Sequence, residues 1–226
     1  MNHLETLPPA KAYIFDMDGT LVDNMRFHED AWGAWHASMG LSYDAVDFAA
    51  KTTGRANKEI FAELFPKKTI AEHEAMAQAK EAEYRKLYAS HRKLLAGTKE
   101  FLELAQTAGI LMAVGTAAPQ VNITFILDQT YEHFQNTTLR TYFKAVVNPN
   151  ETIRGKPYPD IYLEAAKQLG IEPKDCIVFE DAPLGAQAAQ AAGMRCVALT
   201  TTVNAAAFAH LDNIIACVAD YTGLNP

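Results

Sequence analysis

Short apolar runs alternate along the chain with longer stretches in which apolar residues recur every three or four positions. The runs predict β-strands at Ala12–Phe15, Leu111–Gly115, Ala145–Val147, Cys176–Phe179 and Cys196–Leu199. The stretches between them predict helices at Lys99–Ala108, Pro159–Leu169 and Leu184–Ala192. Strands that are apolar throughout and alternate with amphipathic helices are typical of a parallel sheet covered on both faces. The pattern therefore predicts an α/β fold with a doubly wound, Rossmann-like parallel-sheet core.

The segment 25–92 interrupts this alternation. It contains no convincing strand, and stretches such as AEHEAMAQAKEAEYRKLY (71–88) are rich in Ala, Glu, Lys and aromatic residues, as helices are. We interpret it as a small helical cap domain inserted after the first strand. Residues 1–24 and 93–226 then form the core domain, a division that suits the length of the chain.

Composition narrows the classes of function. The chain has 226 residues, of which 49% are hydrophobic, and a formal net charge of −7. It can bury a sizeable core, and its acidity argues against a nucleic-acid partner. The cysteines Cys176, Cys196 and Cys217 lack the spacing of a metal site. We expect Cys176 and Cys196 to be buried free thiols in a reducing compartment.

The sequence also bears on localisation. The N-terminal stretch MNHLETLPPA has no apolar region of the kind found in signal peptides. No window approaches the roughly 20 apolar residues of a membrane span. We therefore expect a cytoplasmic protein without a membrane partner, and nothing in the pattern requires more than a monomer.

Chemically active side chains follow four of the predicted strands: Asp16 and Asp18, Thr116, Lys156, and the pair Glu180 and Asp181. Open parallel sheets bind ligands beyond the carboxyl ends of their strands, so these side chains should meet at one edge. Taken singly, an aspartate there is more often a helix cap or turn residue, and a lone lysine is usually solvated. Their joint placement favours a site.

Such a set of side chains has a chemical logic. Crowded carboxylates repel one another, and a divalent cation with hard oxygen ligands, such as Mg²⁺, relieves that repulsion. Lysine and threonine side chains can hold a phosphoryl group. One aspartate can attack phosphorus, and a second can transfer the proton.

Four motifs carry a resemblance to the haloacid dehalogenase superfamily, in its β-phosphoglucomutase-like branch with a helical cap. They are DMDGT (16–20), VGT (114–116), GKPYPD (155–160) and FEDAPLGAQAAQAAG (179–193). The resemblance spans nearly the whole chain. It implies that Asp16 is the nucleophile, forming an aspartyl-phosphate, and also a Mg²⁺ ligand. Asp18 would be the general acid and base, with its backbone carbonyl on the metal.

The resemblance also implies which of the remaining motif residues bind the phosphoryl group and the metal ion. Thr116 and Lys156 would hold the transferring phosphoryl group. Asp181 would bind Mg²⁺, and Glu180 would either bind the ion or orient its ligands. A second acid at Asp18 favours phosphoester chemistry over that of the dehalogenases and phosphonatases of the superfamily.

Two residues of the predicted cap resemble substrate contacts of β-phosphoglucomutase. His28 lies one helical turn before Trp32, at the offsets that a His and a Trp have in the mutase. Lys80 is similar to a lysine that the mutase uses beside its substrate. Both have ordinary alternatives, since His28 could be a capping or surface histidine and Lys80 could lie on a solvated helix face.

Two departures from the mutase favour a phosphatase over a mutase. The loop Ala117–Gln120 carries no charge, and Asn57 rather than Arg55 aligns with an arginine that binds the far phosphate. Without a second phosphate site, water becomes the acceptor. The sequence therefore predicts a Mg²⁺-dependent phosphatase that hydrolyses a small phosphorylated metabolite, a sugar phosphate or similar, through an aspartyl-phosphate. A sugar-phosphate mutase and a non-catalytic phosphometabolite-binding protein remain the alternatives.

Overall fold

One parallel sheet organises the described residues, 6–131 and 137–226, of the computed structural model. Its six strands are β1 (Ala12–Phe15), β2 (Leu111–Gly115), β3 (Ala145–Val147), β4 (Cys176–Glu180), β5 (Arg195–Leu199) and β6 (Ile214–Val218). They lie in the order β3-β2-β1-β4-β5-β6, and every neighbouring pair is parallel. The chain thus winds outward from β1 in both directions, which confirms the doubly wound α/β fold.

Helices fall into two groups. Between β1 and β2 the chain forms α1 (Met25–Ser38), α2 (Ala45–Thr52), α3 (Asn57–Leu64), α4 (Ile70–Tyr88) and α5 (Thr98–Thr107). The crossovers after β2, β3 and β4 contain α6 (Gln120–Leu127), α7 (Asp160–Leu169) and α8 (Pro183–Ala191). Short 3₁₀ turns span Leu139–Tyr142, Pro173–Asp175 and Ala205–Phe208. Helices α5 to α8 cover the sheet, whereas α1 to α4 lie beyond its carboxyl edge.

The two faces of the sheet bury different side chains. Because neighbouring strand residues point to opposite faces, Tyr13 and Phe15 enter one layer and Ile14 the other. The first layer is aromatic: the rings of Phe15 and Phe179 stack at 4.7 Å, and Phe101 of α5 stacks on Tyr13 at 5.6 Å. The second layer is rich in alanine, contributed by the strands as well as by α7 and α8, together with larger residues of α7 such as Ile161 and Tyr162.

Helices α1 to α4 have an apolar cluster of their own, formed by Trp32, Trp35, Ile60 and Phe61. They occupy the place where the sequence predicts the cap over 25–92. The division into core and cap domains stays a prediction, and residues 1–5 and 132–136 of the predicted core domain lie outside the described residues.

The sequence prediction differs from the structure at one sheet edge. It contains no counterpart of β6, whose residues Ile214–Val218 alternate between more and less exposed positions, as an edge strand does. Strands β4 and β5 are each one residue longer than predicted, at Glu180 and Arg195. The three predicted helices differ from the observed ones by one residue at one or both ends. The position of Glu180 matters, because the strand itself fixes its backbone.

Two further expectations concern burial. Cys176 and Cys196 are buried free thiols, as predicted. Within the described part of the chain, no helix combines the length and apolar character that crossing a membrane would require.

The aromatic layer gives a stability prediction. Phe101→Ala should lower the free energy of unfolding by about 3–5 kcal/mol, because it opens a cavity between Tyr13, Phe179 and Tyr221. Leu104→Ala on the same helix is the control, since Leu104 is 46% exposed and its loss should cost within about 0.5 kcal/mol. Urea unfolding measures both, and equal effects would contradict this account of the core.

Candidate active site

The carboxyl ends of β1 and β4 bring the two predicted acid pairs together. Phe15 and Phe179 are paired in the sheet, and the amide of Asp16 continues the ladder by donating to the carbonyl of Phe179 at 2.9 Å. Asp16 and Glu180 therefore leave neighbouring strands side by side. This is the point at which the winding direction reverses, where open α/β sheets bind ligands.

Three carboxylates at this edge form a group that suits a metal ion. One oxygen each of Asp16, Glu180 and Asp181 lies within 4.8 Å of the others, and all three residues are buried. Every donor is a hard oxygen, as Mg²⁺ prefers. The carboxylate of Asp18 points elsewhere: Oδ1 accepts a hydrogen bond from Asn24 Nδ2 at 2.6 Å.

Lys156 is the cation that joins this group. Its Nζ donates to Asp16 Oδ1 and to Glu180 Oε1, both at 2.5 Å, and the side chain is buried. The other oxygen of Glu180 accepts from the backbone amide of Ala182 at 3.0 Å. Because both Glu180 oxygens are engaged, this geometry favours the alternative in which Glu180 orients the site over direct metal binding.

The buried side chains of this group carry a net negative charge. Three buried carboxylates face one ammonium, so one divalent cation would neutralise the remainder. Burial raises the pKa of Asp16 well above its usual range despite Lys156, and burial with Glu180 nearby raises the pKa of Asp181 to about 7. Burial alone would lower the pKa of Lys156, but Asp16 and Glu180 outweigh it and raise that pKa.

Two residues that sequence reasoning missed hold Glu180 in place. The hydroxyl of Tyr162 donates to Glu180 Oε1 at 2.7 Å. Gly185 gives the carboxylate room, since a Cβ atom there would overlap it. Burial and the Glu180 carboxylate raise the pKa of Tyr162, so its hydroxyl remains a donor. Both residues come from helices that follow motif strands, and their spacing alone did not distinguish them from core positions.

Asp181 is held by the loop after β5, which the sequence analysis also missed. Thr202 donates to Asp181 Oδ2, and Thr20 lies 3.4 Å from Oδ1. Thr201 donates to the carbonyl of Gly19 at 2.6 Å, and a Cβ at Gly19, whose φ is +71°, would overlap Asp181. The rule that strand ends carry ligands would have found this loop if it had been applied to the fifth strand.

Thr116 directly follows β2 and lines the same cavity as Asp16 and Lys156. It is buried, its amide donates to the carbonyl of Val147 at 3.0 Å, and its hydroxyl accepts from the amide of Ala118 at 3.1 Å. Since that hydroxyl accepts from the chain, its own hydrogen is left to donate to a ligand. All core residues singled out by sequence are therefore brought together.

The structure also places both predicted cap residues at this site. Lys80 Nζ lies 2.8 Å from His28 Nδ1, and His28 Nε2 lies 3.6 Å from Asp18 Oδ1. The Lys80 ammonium has no lone pair, so Nδ1 accepts and Nε2 carries the ring hydrogen toward Asp18. Lys80 is 1% exposed, so the alternative of a solvated lysine is wrong.

Glu81 lies at the centre of a second polar group that sequence reasoning did not find. Its Oε1 accepts from Lys80 at 2.9 Å and from Asn57, and its Oε2 accepts from Asn122 of α6 at 2.5 Å. Arg85 donates to Asn122 Oδ1 at 2.7 Å. Burial would raise the pKa of Glu81, but the Lys80 ammonium and the hydrogen bonds from Lys80 and Asn122 outweigh it and lower that pKa to about 2.

Asn24 connects the first motif to the cap helices. Its Nδ2 donates to Asp18 Oδ1 and to the hydroxyl of Tyr84, both at 2.6 Å, while its Oδ1 accepts from the amide of Gly19 at 3.0 Å. Tyr84 belongs to α4 and stacks on His28 at 3.7 Å. The position of Asp18 therefore depends on residues from both the core and the cap helices.

A cavity of about 770 Å³ lies between the sheet edge and the cap helices. Its floor holds the carboxylates, Thr116 and Lys156. Its roof combines apolar residues, such as Trp32, Phe48 and Ile60, with polar and charged ones that include Lys80 and Glu81. The volume falls in the usual range for sites that enclose a small molecule.

Comparisons with known proteins agree with this geometry. A family model for haloacid dehalogenase-like hydrolases matches residues 10–193. The chain is 33% identical over 189 residues to the fructose-1-phosphate phosphatase of Escherichia coli, covering 81% of this chain and 93% of that one. It is 31% identical over 192 residues to the β-phosphoglucomutase of Bacillus subtilis, covering 81% and 80%. The structure of CbbY from Rhodobacter sphaeroides in complex with phosphate aligns with a TM-score of 0.77 at 25% identity, covering 95% and 99%.

The acidic group gives a prediction about Mg²⁺. Saturating Mg²⁺ should raise the thermal unfolding temperature of the wild-type protein, because an ion bound only by the folded state stabilises it, by about 2.7 kcal/mol at a hundredfold excess over Kd. Asp181→Asn should lose this shift. Asp175→Asn should keep it, since Asp175 pairs with Lys11 at the surface.

The Asp181→Asn variant also tests whether the charged Asp181 carboxylate stabilises or destabilises the folded protein when no metal is bound. The raised pKa of Asp181 means that its charged form is less favourable in the folded state than in the unfolded state. In chelator above neutral pH, Asp181→Asn should therefore be no less stable than wild type. An unchanged Mg²⁺ shift in this variant would contradict the assignment of Asp181.

Proposed function

The chain belongs to the haloacid dehalogenase-like hydrolases and resembles their β-phosphoglucomutase-like members, and we propose that it is a Mg²⁺-dependent phosphatase acting on a small phosphorylated metabolite such as a sugar phosphate. One observation carries the proposal: Asp16 and Asp18 share a cavity with the phosphoryl-binding candidates Thr116 and Lys156 and with a buried acidic group. The likeness to a fructose-1-phosphate phosphatase supports it.

In the first step, a carboxylate oxygen of Asp16 forms a bond to phosphorus while the bond to the leaving oxygen breaks. Lys156 and the hydroxyl of Thr116 hold the phosphoryl oxygens during this transfer. Asp18 gives its proton to the leaving oxygen, so the metabolite departs as a neutral alcohol. A Mg²⁺ ion held by Asp16 and Asp181 would supply positive charge beside the phosphoryl group.

In the second step, water attacks the phosphorus of the aspartyl-phosphate. Asp18, now a carboxylate, accepts the proton of that water, and the bond from phosphorus to Asp16 breaks to release inorganic phosphate. Asn24 holds Asp18 in position for both transfers through its hydrogen bond to Oδ1, and His28 Nε2 lies 3.6 Å from the same oxygen. The two steps leave Asp16 and Asp18 in their starting protonation states.

We propose that residues 25–92 act as a cap domain that closes over the bound ester and admits water after the alcohol has left. The loop Ala117–Gln120 carries no charge, and the Lys80 ammonium in the roof is already paired with Glu81. A mutase would have to retain and turn its product, which such a lining does not favour. That the protein acts as a cytoplasmic monomer stays a prediction from the sequence.

Replacement of the nucleophile tests the proposal. Asp16→Asn should lower phosphate release by at least about a thousandfold, because the amide oxygen is a poor nucleophile. Asp23→Asn is the control, since Asp23 pairs with Lys93 outside the cavity and its loss should leave turnover within about twofold.

Phosphorus NMR with Mg²⁺ and a mixture of phosphate esters measures this turnover. The mixture would contain fructose 1-phosphate, pyrophosphate, and β-glucose 1-phosphate with a trace of glucose 1,6-bisphosphate. Growth of the inorganic phosphate signal is the expected result. Conversion of β-glucose 1-phosphate to the 6-phosphate without free phosphate would identify a mutase, and binding without turnover would identify a non-catalytic binding protein.

A further inference from the structure

A buried cation in a substrate cavity has two uses: it can hold an anionic part of the ligand, or it can be neutralised by the protein. Lys80 lies in the cavity roof at 1% exposure, 5.1 Å from the ring centroid of Trp32. Its ammonium contacts His28 and Glu81. Which of the two uses applies depends on Glu81.

The surroundings of Glu81 stabilise its side chain as the charged carboxylate. It is 5% exposed, and its carboxylate accepts hydrogen bonds from Lys80, Asn57 and Asn122. A carboxylate with this many donors is stabilised as the anion. The positive charge of Lys80 is therefore balanced within the protein before any ligand arrives.

The other cations that line the cavity are also engaged or exposed. Arg55 forms an ion pair with Glu63 at 2.9 Å, and Arg85 is bound to Asn122, which itself donates to Glu81. Lys58 is exposed at the rim, where solvent screens its charge. Lys156 belongs to the phosphoryl site. Among the described lining residues, the roof thus offers a second phosphate no buried cation without a partner.

We infer that Glu81 is a specificity-determining residue that restricts this enzyme to esters with a single phosphate and an uncharged leaving group. A second phosphate in the roof would approach the Glu81 carboxylate and would have to compete with it for Lys80. The inference rests on the proposed phosphatase function and adds which class of phosphorylated metabolite is accepted. Glu81 acts through Lys80 and Asn122 and takes no part in the bond changes.

The test compares matched mono- and bisphosphates. Glu81→Gln keeps the shape of the side chain but frees the charge of Lys80. Wild type should prefer fructose 1-phosphate to fructose 1,6-bisphosphate, or glucose 1-phosphate to its 1,6-bisphosphate, by about tenfold or more in kcat/KM. In the variant this preference should fall by about tenfold, mainly through a lower KM for the bisphosphate, because a buried ammonium binds phosphate strongly.

Two controls separate this effect from a structural one. Glu83→Gln removes a carboxylate from the same helix that pairs with exposed Lys86, and it should leave the preference unchanged. Adding Lys80→Met to Glu81→Gln should restore the wild-type preference, since the freed cation is then gone. Loss of packing alone would lower both kcat/KM values together.

Each outcome decides the inference. A folded Glu81→Gln variant with an unchanged preference would overturn it while leaving the phosphatase proposal intact. A wild-type enzyme that prefers the bisphosphate would overturn it even if the variant does not fold. Release of no phosphate from any monophosphate would overturn the proposed function, and this inference with it.

Discussion

The ion pair network of Lys156 is the interaction on which the site depends. Its ammonium holds Asp16 at the end of β1 and Glu180 at the end of β4, two strands that meet where the winding of the sheet reverses. Removing one partner of such a buried network costs about 3–5 kcal/mol, because the remaining charges lose their compensation. Tyr162 stabilises this network by donating a hydrogen bond to Glu180. Gly185 leaves room for the Glu180 carboxylate.

A second line of polar contacts runs from Asp18, two residues after Asp16, into the roof of the cavity. Asp18 faces His28, His28 contacts Lys80, Lys80 pairs with Glu81, and Glu81 reaches Asn122 on α6. The line starts and ends on the core and crosses the cap helices between. Lys80 and Glu81 neutralise each other in the roof, whereas the acidic group around Asp181 keeps an excess of negative charge, and Mg²⁺ fits there.

Sequence reasoning predicted the sheet and the core motifs because both are local signals. Five apolar runs became strands within one residue of their predicted ends, and the strand-end rule placed Thr116 beside Asp16. The edge strand β6 was missed although Ile214–Val218 is an apolar run like the other five, so the signal was present in the sequence. Glu81 and Asn122 were missed because their hydrogen bond joins positions 41 residues apart. Neither spacing nor residue type predicts such a contact.

Asn24 has a consequence for the timing of the reaction. One amide group holds both Asp18 of the core and Tyr84 of the cap, at equal distances of 2.6 Å. Any rotation of the proposed cap would break the contact between Asn24 and Tyr84 and so disturb the donor that fixes the Asp18 carboxylate. Under the proposed function, Asn24 would thus link proton transfer by Asp18 to the position of the proposed cap.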